Sequence, residues 1–175
     1  MSSSLIAGKL PKSGAHMKTV IVYYSYEGSC AIVAGIIKNA LNADVFEIKT
    51  VDEKKRTGFA KYFWGGKQVI FNNKPALRPL SVDINAYDLV ILGTPVWAGS
   101  PAPAMVTFLD NAKISGKKLA LFCSHGGGMG KVFDKIKALL PGNTFAGEIN
   151  FLYAIKSDPA ELKQKIGEWV KAIGA

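Results

Sequence analysis

Three stretches of the sequence are apolar at consecutive positions: Val20-Ile21-Val22-Tyr23-Tyr24, Leu89-Val90-Ile91-Leu92-Gly93 and the KLALFCS run from Lys118 to Ser124. A strand with one face in water alternates apolar and polar residues, and these do not alternate, so both faces must be covered. Each run is short, β-branched or aromatic in character and closed by turn-forming residues, as expected of central strands in a parallel sheet. Parallel neighbours need crossover connections, usually helices, and the intervening sequence supplies them. Ile32, Val33, Ile36, Ile37 and Leu41 recur at helical spacing and predict a helix from about Cys30 to Leu41. Others are predicted from just after Pro101 to about Asn111, with Pro103 tolerated in the first turn, and from about Lys131 to Leu140. A last helix follows Asp158-Pro159, with Leu162, Ile166, Trp169 and Ile173 on its core face. Asp44 to Lys49 alternates and predicts a peripheral strand, and Thr144 to Tyr153 predicts a fifth. The pattern is weakest from Asp52 to Asp83, where a helix around Phe59 to Phe71, interrupted near Gly65-Gly66, precedes a loop carrying Pro75 and Pro79. Five strands alternating with helices predict a three-layer, doubly wound α/β domain with a parallel sheet of order 2-1-3-4-5.

Composition narrows the function classes. The chain has 175 residues, 49% hydrophobic and 20% charged, which fits one folded domain and excludes a disordered or fibrous chain. No run approaches the roughly 18 apolar residues of a membrane span, so no membrane partner is expected. Cys30 and Cys123 match neither a disulfide framework nor a zinc knuckle. The strands bearing them would be separated by one other strand, roughly 10 Å, too far for a bridge without rearrangement. A reducing, cytoplasmic setting is the expectation, with Cys123 a small buried apolar residue and Cys30 at a helix start. Residues 1–16, MSSSLIAGKLPKSGAH, show no periodicity and are expected to be a disordered or cloning-derived leader, with Met17 the native start of a domain over 17–175. The formal charge is +9, and the leader adds only Lys9 and Lys12 to it, so the basic balance belongs to the domain. Lys54, Lys55, Arg56 and Lys61 cluster, yet no basic helix, zinc ligand set or RNP-type aromatic pair accompanies them, and no nucleic-acid partner is expected.

In a doubly wound sheet, ligands sit beyond the carboxyl ends of the strands, and three unusual segments fall there. After the first strand comes Ser25-Tyr26-Glu27-Gly28-Ser29-Cys30, a hydroxyl- and glycine-bearing loop that runs into a helix, whose free amides and positive end suit a phosphate. Gly93 to Pro103 follows the third strand and reads as a stiff, Pro- and Gly-bounded loop presenting Trp97. After the fourth comes Ser124-His125-Gly126-Gly127-Gly128, where missing side chains let backbone approach a flat ligand. Singly, each has a plainer reading: a helix N-cap, a core or interface Trp, a turn. Together they make a phosphate cradle, an aromatic plate and a close backbone wall. The same strand order occurs in phospho-acceptor response regulators, but their acids at the ends of strands one and three are lacking in Tyr23-Tyr24-Ser25 and Leu92-Gly93-Thr94.

Residues 18 to 175 resemble a flavodoxin-like FMN-binding protein. The first loop is similar to the family's S-x-T-G-x-T, keeping Ser25 and Gly28 and replacing both Thr positions, and GTPVWAGSPAPAMVTFLD is similar to G-x-P-x-W-x-G-x-P-x-P-x-x-x-F-L. The resemblance implies FMN as cofactor, its phosphate held by Ser25, Tyr26, Glu27, Gly28, Ser29 and Cys30. It implies an isoalloxazine bordered by Pro95, Val96, Trp97 and Ala98, with Trp97 stacking, and a pyrimidine side lined by Ser124 and Gly126 to Gly128 (Gly126, Gly127, Gly128). Glu27 is expected to turn outward, because a carboxylate about 6 Å from a phosphate dianion costs roughly 1 to 6 kcal/mol. His125 reads as a polar loop residue, with proton donation on the cofactor edge as the alternative, and Tyr62, Phe63 and Trp64 as core, a partner surface or a lid. By resemblance the function is electron transfer to redox partner proteins or a small acceptor, as a monomer or homodimer. An NAD(P)H-dependent FMN or quinone reductase is the alternative. The family's carriers are typically acidic; this chain is basic.

Overall fold

In a computed structural model of the chain, residues 17–52 and 74–175 are described. Strands are β1 (Thr19–Tyr24), β2 (Asp44–Ile48), β3 (Leu89–Trp97), β4 (Ser100–Pro101), β5 (Lys118–His125) and β6 (Thr144–Leu152). Helices are α1 (Ser29–Leu41), α2 (Pro103–Ala112), α3 (Val132–Leu139) and α4 (Pro159–Ala172). The sheet order is β2-β1-β3-β5-β6, with all of these pairs parallel, so the five predicted strands stand in the predicted order. The sixth, β4, is a two-residue strand antiparallel to the end of β3.

The uninterrupted apolar runs lie at the centre of the sheet for the reason anticipated. Every residue of β1 is buried, and its side chains divide between two cores. Val20, Val22 and Tyr24 meet Met105, Phe108, Val132, Phe133 and Ile136 from α2 and α3. Ile21 and Tyr23 meet Val33, Ile37, Leu162, Ile166 and Trp169 from α1 and α4. β2, which alternates in sequence, is the half-exposed edge strand. α4 starts where expected: the Asp158 carboxylate accepts the N–H groups of Ala160 and Glu161 at 2.8 and 3.1 Å, and Pro159 opens the first turn. The predicted helix at Phe59 to Phe71, the Tyr62-Phe63-Trp64 cluster, the basic cluster and the leader lie outside the described residues.

One expectation is corrected. The segment from Gly93 to Pro103 is not a loop throughout: β3 continues to Trp97, and the chain reverses over Ala98 and Gly99 to form β4. Both turn residues have positive φ, 49° and 69°, the combination that lets a two-residue turn match the twist of its strands. Pro95 and Pro101 fix an extended φ on either side. The Thr94 hydroxyl, fully buried, accepts the Ala102 N–H at 3.1 Å and donates to the Pro95 carbonyl at 3.0 Å, fastening the base of the hairpin.

Candidate functional site

The three segments meet in one cavity of about 260 Å³ at the carboxyl edge of β1, β3 and β5. That is just below the usual range for small-molecule sites, about 300 to 1,000 Å³, so a ligand of flavin size would lie partly outside it. The first wall is Ser25, Tyr26, Glu27, Ser29 and Cys30, the second Pro95 to Ala98, and the third Ser124, His125 and Gly126, with Tyr153 added from beyond β6. Gly28, Gly127 and Gly128 stand next to these walls but outside the lining.

The first wall is shaped by backbone conformation. Gly28 precedes α1 with φ of 95°, a value open to glycine, and its carbonyl accepts the Ile32 N–H at 3.0 Å. Gly28 has no side chain to cap the helix and no acid lies in its first turn, so the positive end of α1, its Ala31 N–H apart, suits an anionic ligand. The Ser25 hydroxyl folds back to accept the Ala31 N–H at 3.3 Å, and the Ser29 hydroxyl accepts the Ile155 N–H at 3.3 Å, tying the loop to the connection after β6. Glu27 is exposed at the mouth. These features fit an anionic group such as a phosphate.

The second wall is aromatic. Trp97 stands edge-on to Tyr24, centroids 6.2 Å apart at 81°, and to Tyr26, 5.6 Å apart at 88°. Edge-to-face pairs satisfy the ring quadrupoles, and they join the hairpin to the first loop.

The third wall is backbone and one imidazole. A Cβ at Gly126 would meet the Tyr153 ring and hydroxyl at 3.0 Å, whereas Gly127 and Gly128 have open space around them. His125 Nε2 is 3.2 Å from Asn150 Oδ1, and its Nδ1 is buried without a hydrogen-bond partner. Sequence reasoning missed Tyr153 as a lining residue. It has φ of 44° and donates its N–H to the His125 carbonyl at 2.9 Å, contacts set by the register of β5 and β6.

Neither cysteine is poised for redox chemistry. Burial pushes the Cys123 thiol from 9.0 up to about 12, with Glu148 adding to the effect and Lys165 opposing it. Burial also drives Cys30 upward, against a backbone hydrogen bond at Ser124 and with Cys123 reinforcing. Both are free, and the thiolate is the reactive form. Iodoacetamide at neutral pH is therefore expected to leave the native protein unmodified and to label both cysteines in urea; labelling of Cys30 in the folded state would contradict its burial. Because folding raises both pKa values, their contribution to stability is present below pH 9.0 and declines as pH rises toward 12.

Residues 18–173 match the family model described as Flavodoxin. Comparison with curated protein sequences finds no match. Among solved structures, the chain is similar to a flavoprotein from Lactobacillus acidophilus NCFM in complex with FMN, with 27% identity and a TM-score of 0.67 over 77% of this chain and 93% of that one. It is similar in fold to oxidised flavodoxin 2 from Bacillus cereus, at 18% identity and TM-score 0.54 over 90% and 97% of the two chains. A flavodoxin from Streptococcus pneumonia TIGR4 gives 15% identity and TM-score 0.56 over 89% and 97%.

Proposed function

The chain belongs to the flavodoxin family, and from that membership we propose that it is an FMN-dependent electron carrier. The observation that supports this reading is the convergence in one cavity of a glycine-led helix N-terminus, an aromatic hairpin and a glycine-rich strand end. The Lactobacillus relative binds FMN, and each wall fits a part of that molecule. The first-turn amides of α1, with the hydroxyls of Ser25 and Ser29, hold the phosphate. Pro95 to Ala98 border the ring, with Trp97 excluding water from it. Ser124 and Gly126 give the ring's polar end a wall of backbone, which Gly127 and Gly128 extend. Bound FMN supplies the one-electron chemistry, and the protein supplies binding, orientation and electrostatics. The net charge of +9 favours an acidic redox partner, the reverse of the family's usual pairing. The same charge favours a second reading, a reductase that takes electrons from the anionic NAD(P)H.

Two measurements test these readings. FMN should bind at least tenfold more tightly than riboflavin, since about 1.4 kcal/mol is less than charge-assisted hydrogen bonds to a phosphate usually contribute; equal affinities would remove the phosphate assignment. An anaerobic reductive titration of the FMN-loaded protein should resolve two one-electron steps, with no bleaching by NAD(P)H. Direct bleaching by NAD(P)H would replace the carrier with the reductase.

A further inference from the structure

Among the described residues, four other than glycine have a positive φ: Asn42, Ala98, Lys113 and Tyr153. Three have a plain local reason. Asn42 and Lys113 are the C-caps of α1 and α2, each donating its N–H back to a carbonyl of its helix, and Ala98 opens the hairpin turn. Tyr153 closes no helix. It follows the last residue of β6 with φ of 44° and ψ of 56°, and a short 3-10 turn over Ala154–Lys156 begins directly after it. A left-handed backbone crowds Cβ against the following carbonyl, so glycine or asparagine is the ordinary occupant and a bulky aromatic is an outlier.

The surroundings hold that backbone in place. The Tyr153 N–H donates to the His125 carbonyl at 2.9 Å, and the Tyr153 carbonyl accepts the Lys156 N–H at 2.7 Å and the Ser157 hydroxyl at 3.4 Å. The Ile155 N–H donates to Ser29 Oγ at 3.3 Å, which ties the turn to the head of α1. All of these bonds use backbone at 153, and an asparagine there could make every one. What tyrosine adds is its ring. That ring lies against Gly126, where a Cβ would meet it at 3.0 Å, and the Lys156 ammonium stands over it, 4.8 Å from the centroid. The residue is nevertheless not packed away: it lines the cavity and is 39% exposed. Strain that persists at a cavity wall, and delivers a side chain left half in solvent, points to what that side chain meets when the cavity is filled.

Resting on the FMN reading above, we infer that Tyr153 is a ligand-binding residue, its ring in contact with the part of the flavin ring system that the 260 Å³ cavity does not enclose. The contact comes from the connection between β6 and α4, which supplies none of the three segments that converge on the cavity. It is made by one aromatic face or edge against another, so it serves the ring and not the phosphate, and it involves no proton or electron transfer.

The test sets ligand affinity against stability. Tyr153→Asn tolerates the left-handed backbone and removes the ring, so chemical denaturation of the ligand-free protein should show a midpoint no lower than that of the unmodified chain. By fluorescence titration the same variant should bind FMN and riboflavin each about tenfold more weakly, within the range that aromatic stacking gives for nucleobases, and keep its preference for FMN. Tyr153→Phe, which returns the ring without the hydroxyl, should recover the affinity. Independently of any variant's folding, NMR of the unmodified protein labelled at tyrosine should show the Tyr153 ring resonances, assigned by their absence from Tyr153→Phe, shifting on addition of FMN or riboflavin but not of inorganic phosphate. FMN affinity kept within about twofold in Tyr153→Asn, no recovery in Tyr153→Phe, or ring resonances that ignore FMN or respond to phosphate alone would each overturn the proposal. A midpoint that falls when the ring is removed would assign the ring to packing and overturn it too. In all these cases FMN binding by the unmodified protein leaves the FMN reading standing, whereas binding of neither flavin would remove both.

Discussion

Gly93→Ala is expected to lower the stability of the protein by about 3 kcal/mol or more, at or beyond the upper end for overpacking a core. Gly93 faces Phe122 across the β3–β5 pair, and a Cβ there would lie 2.0 to 2.5 Å from three atoms of the Phe122 ring. Relief would require the ring to leave its place. Phe122 is fully buried in the core shared with α1 and α4, so there is no solvent route for it to take. The measurement is chemical denaturation of the ligand-free protein, where the midpoint should fall without a change in slope. The double variant Gly93→Ala with Phe122→Leu should be less destabilised than the sum of the two single changes, because the clash exists only when both the methyl group and the ring are present. Additive losses would show that the strain lies in the backbone at position 93 and not in this contact.

Gly93 also shows how sequence patterns divide between function and packing. It opens the GTPVWAGSPAPAMVTFLD segment that carries the resemblance to flavodoxins, yet the residue itself makes room for an aromatic ring on the next strand. The layers and the sheet order were legible because two-sided burial leaves unbroken apolar runs in β1, β3 and β5, and one-sided burial leaves alternation in β2. The hairpin was legible as a unit but not as strands. Proline and glycine read as loop signals, and the β4 pairing that makes Pro95 to Trp97 a strand depends on two positive φ values in succession. Tyr153 and the Asn150–His125 contact were invisible for a different reason. They follow from the β5–β6 register, which shifts at Leu119/Ala120 through an irregularity that no local pattern announces.

The largest loss of ligand binding among single glycine replacements is expected at Gly130, which lies outside the cavity lining. Gly130 has φ of 54°, and a Cβ there would lie 2.5 Å from the Cα of Gly99 and 3.0 Å from its carbonyl oxygen. Both obstacles are backbone, so no side chain can turn aside. Gly99 is the second residue of the turn that carries Trp97 and Ala98 into the site, and its carbonyl accepts the Lys131 N–H at 3.1 Å. The Lys135 ammonium meets the Ser100 hydroxyl on the same hairpin. Gly130→Ala must therefore push the hairpin off the β5–α3 connection, in addition to roughly 1 to 2 kcal/mol for a left-handed alanine. FMN affinity should fall by tenfold or more, about 1.4 kcal/mol, together with stability. Gly99→Ala, whose Cβ would make ordinary contact at 3.5 Å, should cost the left-handed strain and little more. Gly127→Ala, on the same connection with open space and no positive φ, should be close to neutral for stability. Parallel denaturation and FMN titrations separate the two effects. If Gly130→Ala loses stability but keeps its affinity within about twofold, seating of the hairpin does not govern the site.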